Sequence, residues 1–224
     1  MNVGNSLIYL AYYGTRTIVA LSFIAFLFMG NFVDAVSTAL IFALMVAPHV
    51  LSTRYNIKIS FEVDAVIATF IFFSLFLGSL QDYYERFPLF DGILHFHSGI
   101  LLGIIGFTLV YLLNSQKTEK ISLSPEFIAL FSVTFSLAIG VLWEVFEYFG
   151  DLLLGFNMQE SGLPDTMGDL IVNAVGALIV GSIGYVWMRR RKKVPFTSAV
   201  LEGYEDIAEQ KLTDLKKVLE TRHK

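Results

Sequence analysis

The sequence has few charged residues and no cysteine, and each shortage limits what the protein can be. Charged residues make up 16% of the 224 residues and hydrophobic residues 55%, whereas a water-soluble domain carries about a quarter charged residues. A chain this apolar cannot cover itself with polar surface, which disfavours a soluble enzyme, a nucleic-acid-binding protein and a disordered chain. The lack of cysteine excludes disulfides, thiolate metal ligands and cysteine nucleophiles.

Long apolar runs, separated by short polar segments, make up most of the chain. The six runs are Thr17 to Phe32, Asp34 to Leu51, Val63 to Leu80, Gly92 to Leu113, Glu126 to Phe149 and Met167 to Met188. Each approaches or reaches the length of about 20 residues that a membrane-spanning helix needs, and none alternates as the strands of a membrane barrel do. The sequence therefore predicts an all-α polytopic membrane helix bundle, with six transmembrane helices in residues 1–195 and a separate tail in residues 196–224.

Basic residues set the expected orientation of these helices. A block of five Arg and Lys residues, 189–193, ends the last apolar run, and such blocks stay in the cytoplasm. Six spans then place the N-terminus in the cytoplasm as well. The loops around Arg54 and Lys117 fall on the same side, and Arg86 falls outside. We therefore expect a multi-pass protein of the cell membrane, surrounded by lipid, with both termini cytoplasmic.

The tail has helical periodicity. Apolar residues recur at spacings of three and four between Ser198 and Lys224, with Lys and Glu on the other faces. This pattern predicts a cytoplasmic amphipathic helix that packs on its own chain or forms a short coiled coil with a second subunit, which would make a homo-oligomer. A helix lying on the membrane surface is a weaker alternative because acids and bases are balanced there.

Acidic residues gather on the side that this topology places outside. They are Asp34, Asp82, Glu85, Asp91, Glu144, Glu147, Asp151, Glu160, Asp165 and Asp169. Ten acids facing a single arginine should create a negative potential that concentrates cations.

Two of the predicted helices carry such acids along one face. Those of the fifth span stand at positions i, i+3 and i+7 and are Glu144, Glu147 and Asp151. The sixth span carries two acids and one amide side chain on one face. They stand at i, i+4 and i+8 and are Asp165, Asp169 and Asn173. In the fourth span Asp91 stands one turn before His95, where it would be either a co-ligand or a partner that supports the His95 ring. His97 points nearly the opposite way.

The depths of these residues agree. At ~1.5 Å per residue, His95, Glu144 and Asp169 lie about 10–12 Å beyond the middle of their spans, toward the outside. Unpaired carboxylates at that depth cost several kcal/mol, and such residues normally face a bundle interior and mark function. Protonation or a bound cation could neutralise them, because no Lys or Arg lies at the same level. We therefore expect three helices to bring carboxylates and an imidazole together.

The residue types favour a divalent metal ion at this level. The candidate ligands are Asp91, His95, Glu144, Glu147, Asp165, Asp169 and Asn173. Oxygen and imidazole donors without cysteine suit Zn, Mn, Mg, Fe or Ca. Plain solvation near the interface remains an alternative for Glu147, Asp151 and Asp165, and hydrogen bonding within the bundle for the deeper acids.

Two further expectations concern packing. Small residues at helical spacing, Gly99 with Gly103 and Ala177 with Gly181, predict close contact between the fourth and sixth spans. Arg16, near the inner end of the first span, is expected to extend its side chain toward the interface rather than to pair with a buried acid.

The same segments resemble a known family. Asp91–Gly99, Trp143–Asp151 and Asp165–Gly176 are similar to the YjdF-like family of small bacterial and archaeal inner-membrane proteins. A weaker likeness to the VanZ-like membrane proteins is found mainly in the last segment. The resemblance covers spans three to six. It implies a multi-span integral membrane protein and supplies no activity or catalytic residues.

Three functions follow from these patterns. The first is a metal-dependent membrane enzyme, a hydrolase or transferase at the outer leaflet, with Glu144 and Asp151 as catalytic residues and Asp151 as general base. Its ligand would be a lipid or a small ion, although the scarcity of outer basic residues counts against a phospholipid unless the metal binds it. The second is a cation transporter or channel, disfavoured because the inner halves of spans four to six are nearly all apolar. The third is an assembly protein whose acids only lock helices together.

Overall fold

The computed structural model describes residues 3–55, 61–115, 123–155, 157–159, 161–190 and 194. These residues form helices and short connections, and they contain no strand. Six of the helices are long and apolar enough to cross a membrane, which confirms the predicted fold class. The predicted tail helix from Ser198 to Lys224 lies outside the described residues, and the orientation of the termini stays a prediction.

The first compact unit contains the described residues up to Phe87. Its helices are α1 (Val3–Phe28), α2 (Phe32–Tyr55), α3 (Phe61–Ile71) and the short α4 (Tyr83–Arg86). Helix α3 continues directly into a π-helical segment, Phe72–Leu80. The core of the unit consists of Val19, Ile41, Met45, Ala68, Phe72 and Phe76. The first helix begins at Val3, before the predicted run, and extends across Arg16. It ends at Phe28, earlier than predicted, because Gly30, at a φ of 72°, forms a tight turn before α2.

Arg16 is held inside this unit by a buried ion pair. Its Nη2 atom donates to Asp64 Oδ1 at 3.0 Å and to the Met45 carbonyl at 2.7 Å, and its guanidinium lies 3.7 Å from the Tyr12 ring centroid. The Arg16 and Asp64 side chains are only 12% and 7% exposed. Pro48 cannot donate a backbone hydrogen bond to the carbonyl of Leu44, which precedes Met45 in α2. The expectation that Arg16 reaches toward the interface was wrong, because α3 supplies a buried partner 48 residues away.

The second compact unit begins at Pro88 and is a three-helix bundle. Its helices are α5 (Phe90–Ser115), α6 (Pro125–Leu154) and α7 (Leu163–Arg189). The hydroxyls of Ser136 and Ser132 donate to the carbonyls of Gly99 at 3.2 Å and Gly103 at 2.7 Å, so α6 runs antiparallel to α5. We call the end at which α5 and α7 begin and α6 ends the acidic end of this unit.

Glycines let α5 and α7 approach backbone to backbone. A Cβ atom on Gly99 would overlap the backbone of Asn173, and one on Gly176 would overlap the Phe96 carbonyl. Further along, a Cβ on Gly103 would lie 3.2 Å from the Cβ of Val180. This contact confirms the close packing predicted for Gly99, Gly103 and Ala177, whereas Gly181 faces Ala129 and Val133 of α6 instead. It also brings the first turns of the two helices side by side, and those turns carry acids.

Local sequence sets both ends of α6. Ser124 precedes Pro125 and accepts a hydrogen bond from the Phe127 amide at 3.2 Å, which is the usual arrangement of an N-cap residue followed by proline. At the other end Gly155 takes a left-handed φ of 70°, and its amide donates to the Asp151 carbonyl at 3.1 Å. The helix therefore ends two turns beyond Glu147, which keeps the acids of its last turns at the acidic end.

Candidate metal site

Five side chains from three helices meet at the acidic end of the second unit. They fall into two groups that share His95, and within each group one potential ligand atom per residue lies within 4.8 Å of the others. The first group is Asp91, His95 and Asp169, and the second is His95, Glu144 and Glu147. We call these five residues the His95 cluster. The structure thus brings together five of the seven predicted ligands.

The His95 ring lies between two carboxylates, with one at each nitrogen. Nδ1 is 3.7 Å from Glu144 Oε1, and Nε2 is 3.6 Å from Asp91 Oδ1. Both separations exceed the usual hydrogen-bond length of about 2.7–3.2 Å. Two ligand atoms that each lie about 2.1 Å from one tetrahedral ion are roughly 3.4 Å apart. Neither contact is therefore a direct hydrogen bond, and each separation leaves room for an ion between the two atoms.

Glu144 is the member of the cluster whose carboxylate is buried without hydrogen bonds. It is 4% exposed, and within the described part of the chain neither carboxylate oxygen makes a hydrogen bond. The Thr166 hydroxyl lies near enough to act on this carboxylate as a donor but does not reach hydrogen-bond geometry with it. The same hydroxyl accepts a hydrogen bond from Gln159 Nε2 at 2.7 Å. A buried carboxylate without hydrogen bonds is costly unless it is neutralised by a proton or a cation.

Glu147 is buried one turn further along α6 and is held in place by a tryptophan. Its Oε1 atom accepts a hydrogen bond of 2.7 Å from Trp143 Nε1. Trp143 precedes Glu147 by four residues, so this contact follows from helical spacing. Trp143 was not among the residues predicted for the site, although its position four residues before Glu147 indicates this contact. The hydrogen bond occupies Oε1 and leaves Oε2 for another partner.

No Lys or Arg in the described part of the second unit lies beside these acids. Between Pro88 and Met188 the sequence contains two basic residues, Lys117 and Lys120, and both follow the far end of α5. Arg189 lies 3.9 Å from Glu126, where α7 ends and α6 begins. His95 is therefore the one side chain of the cluster that can carry a positive charge.

Asn173 lies next to the cluster and joins all three helices. Its Nδ2 atom donates to Ser98 Oγ at 3.1 Å, and its Oδ1 lies 3.4 Å from Ser136 Oγ, whose single proton it shares with the Gly99 carbonyl. Ser98 in turn donates to the His95 carbonyl at 2.8 Å. Both polar atoms of Asn173 thus already make hydrogen bonds, and its role as a metal ligand stays a prediction.

The polar interior extends further from the acidic end than the sequence predicted. Ser132 and Thr108 are both buried in the half of the unit that we expected to be nearly apolar. Thr108 is 13 residues beyond His95, which is about 20 Å along α5. Its Oγ1 atom is buried and makes no hydrogen bond within the described residues.

Asp151 and Asp165 lie outside both groups of the cluster. The Asp151 carboxylate accepts hydrogen bonds from the Met158 amide at 2.7 Å and the Gln159 amide at 2.9 Å, and so fixes the connection between α6 and α7. Asp165 stands in the first turn of α7, is partly exposed, and interacts electrostatically with Glu144. The roles of Asp151 as general base and of Asp165 as ligand stay predictions.

His97 points away from the cluster, as its spacing from His95 predicted. Its side chain is exposed, and its Nδ1 atom donates to the Ile93 carbonyl at 2.7 Å, within its own helix. The carbonyl four residues back is therefore the partner of this histidine, and His95 alone contributes an imidazole to the cluster.

Apolar helices of membrane-spanning length, with buried acids enclosed in a three-helix unit, define the class: a polytopic α-helical membrane protein. The chain belongs to the DUF2238 family, described as “Predicted membrane protein”, whose model matches residues 12–190. That range contains the whole His95 cluster. The resemblance to the YjdF-like proteins is compatible with this family.

One relative also aligns with a large part of the chain. It is a Thermotoga maritima protein described as “Uncharacterized protein”, which is 27% identical over 141 residues, covering 62% of this chain and 70% of the relative. No solved structure matches the chain.

Proposed function

We propose that this membrane protein binds a divalent metal ion in the His95 cluster. One observation carries the proposal: the buried Glu144 carboxylate makes no hydrogen bond within the described residues and lies 3.7 Å from an imidazole nitrogen. A cation between these groups would neutralise the carboxylate and use the lone pair of the ring. Without one, the deep acids of three helices would have to be protonated or remain charged at a high cost.

The number of donors favours a catalytic metal over a purely structural one. Each group of the cluster supplies three ligand atoms from different residues. Structural zinc sites are closed by four protein ligands, whereas catalytic sites keep a position open for water or substrate. An ion with three protein ligands could polarise an acyl or phosphoryl oxygen or activate a water molecule. We therefore propose a metal-dependent hydrolase or transferase.

The position of the cluster favours a substrate at the membrane surface. His95 and Asp169 lie five and six residues from the starts of α5 and α7, which places them about 8–9 Å from the helix ends. That depth lies just inside the boundary between lipid and water at this end of the spans, which the basic residues predict to be extracytoplasmic. Because no Lys or Arg among the described residues of the second unit lies at this level, the metal itself would hold an anionic substrate.

The buried hydroxyls beyond the cluster favour cation transport as a second candidate. Ser132 and Thr108 continue the polar interior toward the opposite end of the unit, and Thr108 Oγ1 makes no hydrogen bond within the described residues. Against this, Ser132 already donates to the Gly103 carbonyl, as polar residues that join membrane helices do. Cation uptake into vesicles that contain the purified protein, abolished by Glu144→Gln, would decide for transport.

The proposed metal site is tested by the metal content of the purified full-length protein. We expect about one divalent ion per chain in the wild type and at least a tenfold weaker affinity in Glu144→Gln. Glu126→Gln is the matched control, because Glu126 is an exposed acid at the other end of the same helix. If the wild type retains no more metal than Glu144→Gln under any loading condition, the acids only lock helices together and the proposal is wrong.

A further inference from the structure

The two nitrogens of His95 face different carboxylates, and the surroundings of these carboxylates differ. We infer that the ion lies on the Nδ1 side, with Glu144 and Glu147, and that Asp91 is a positioning residue that holds the ring from Nε2. The inference rests on the proposed metal site and adds which atoms bind the ion and what Asp91 does.

A neutral imidazole has one N–H group and one lone pair. If the lone pair binds a metal, the other nitrogen carries the hydrogen and needs an acceptor. Glu144 Oε1 stands 3.7 Å from Nδ1 and Asp91 Oδ1 stands 3.6 Å from Nε2. The two separations are nearly equal, so they do not show which nitrogen faces the ion. A metal on one nitrogen leaves the N–H group on the other, and the surroundings of the two carboxylates decide between them.

The need for a cation is greater on the Nδ1 side. Both oxygens of Glu144 are buried without a hydrogen bond within the described residues. Glu147 has Oε1 fixed by Trp143 and Oε2 left for a ligand bond. The Asp91 carboxylate has less need of a cation to neutralise it, since its side chain is 17% exposed, compared with 5% for Glu144. A carboxylate that reaches water can remain charged without a metal, and it can still accept a hydrogen bond.

Asp91 also has the right connection to the ring. It stands four residues before His95 on α5, so the helix itself fixes one side chain against the other. A carboxylate on the nitrogen that is not bound to the metal fixes the tautomer and orientation of the histidine, and its loss typically weakens metal binding by about 10–100-fold. Asp91 would touch neither the ion nor the substrate, and would act through His95.

The test uses Cu²⁺ as the probe, bound to the full-length protein in detergent. Pulsed EPR detects the imidazole nitrogen remote from the copper, and its quadrupole frequencies report the hydrogen bond at that nitrogen. We expect one copper bound through His95 in the wild type. In Asp91→Asn the copper should remain bound through His95, with about 10–100-fold weaker affinity and shifted remote-nitrogen frequencies.

Asp165→Asn is the matched control. It removes a carboxylate that interacts with Glu144 but belongs to neither group of the cluster. Its loss should weaken copper binding slightly by reducing the negative charge and should leave the remote-nitrogen frequencies unchanged. Equal frequency shifts in Asp165→Asn and Asp91→Asn would overturn the positioning role, because a general loss of charge would then explain both.

A second measurement needs no variant. Protein with ¹⁵N-labelled histidine and bound ¹¹³Cd²⁺ should show the cadmium coupling on Nδ1 of His95 and a proton on Nε2. Coupling on Nε2, or protons on both nitrogens, would overturn the inference while leaving a metal site in place. Absence of any bound Cu²⁺ or Cd²⁺ would instead refute the proposed function.

Discussion

In the first unit a buried acid meets a buried base, whereas in the second several buried acids surround one histidine. Asp64 lies 3.0 Å from Arg16, which also donates to the Met45 carbonyl. Glu144 is buried to a similar degree, yet it makes no hydrogen bond within the described residues. Both units are built from apolar helices, so the contrast concerns how the charge of a buried acid is neutralised.

This difference separates a structural use of buried charge from a functional one. A complete ion pair needs nothing from outside, and its partners hold α1 and α3 of the first unit together. A buried carboxylate without a basic partner or a hydrogen bond is free to bind an ion or a polar group of a substrate. Removing the buried charge should therefore change the free energy of unfolding in opposite directions in the two units. The largest change is expected in the first unit.

Arg16→Met should destabilise the protein by about 3–5 kcal/mol, since it leaves Asp64 buried without its basic partner. The double variant Arg16→Met with Asp64→Leu should recover most of that loss, because no unpaired charge remains. Unfolding in mixed micelles of detergent and SDS measures both. If the single and double variants are equally unstable, Asp64 does not depend on Arg16, and the contrast between the units disappears.

Glu144→Gln should behave in the opposite way when metal is removed. Since no ion pair is broken, stability in the presence of a chelator should stay the same or rise. Added metal should then stabilise the wild type by about 2.7 kcal/mol at a free concentration 100 times the dissociation constant, and the variant far less. Thermal unfolding with and without Zn²⁺ measures this, with Glu126→Gln as control. A variant that is strongly destabilised in chelator would assign Glu144 a structural role.

The features that could be predicted from the sequence are those that helical geometry alone determines. The spacing of Glu144 and Glu147 placed them on one face, and a fixed rise per residue put His95 and Asp169 at a matching depth. Continuous apolar runs gave the number of spans. Small residues such as Gly99 predicted the tight contact between α5 and α7, which the structure confirms.

The features that could not be predicted depend on which partner a side chain meets. Arg16 pairs with an acid 48 residues away, and no local pattern connects the two. Asp151 shares a helical face with Glu144, but it stands in the last turn of α6. There the backbone amides of the following connection donate hydrogen bonds to its carboxylate. Asn173 likewise lies on the predicted face of α7, yet serines on both neighbouring helices use its amide group.

Asp151→Ala should cause the smallest loss of stability. It tests, within the second unit, whether an acid outside the His95 cluster has a structural role only. It removes two hydrogen bonds between a carboxylate and backbone amides, and hydrogen bonds to charged groups contribute about 1.5–3 kcal/mol each. Because the connection can relax toward water, we expect a total loss near the lower value, about 1.5 kcal/mol.

The loss should be the same with chelator and with metal, and metal affinity should not change, because Asp151 belongs to neither group of the His95 cluster. Unfolding and metal titration of the same preparation measure the two quantities, with Glu126→Ala as a control that should stay within about 0.5 kcal/mol of the wild type. A fall in metal affinity as large as that of Glu144→Gln would place Asp151 among the ligands and restore the wider site that the i, i+3, i+7 spacing first predicted.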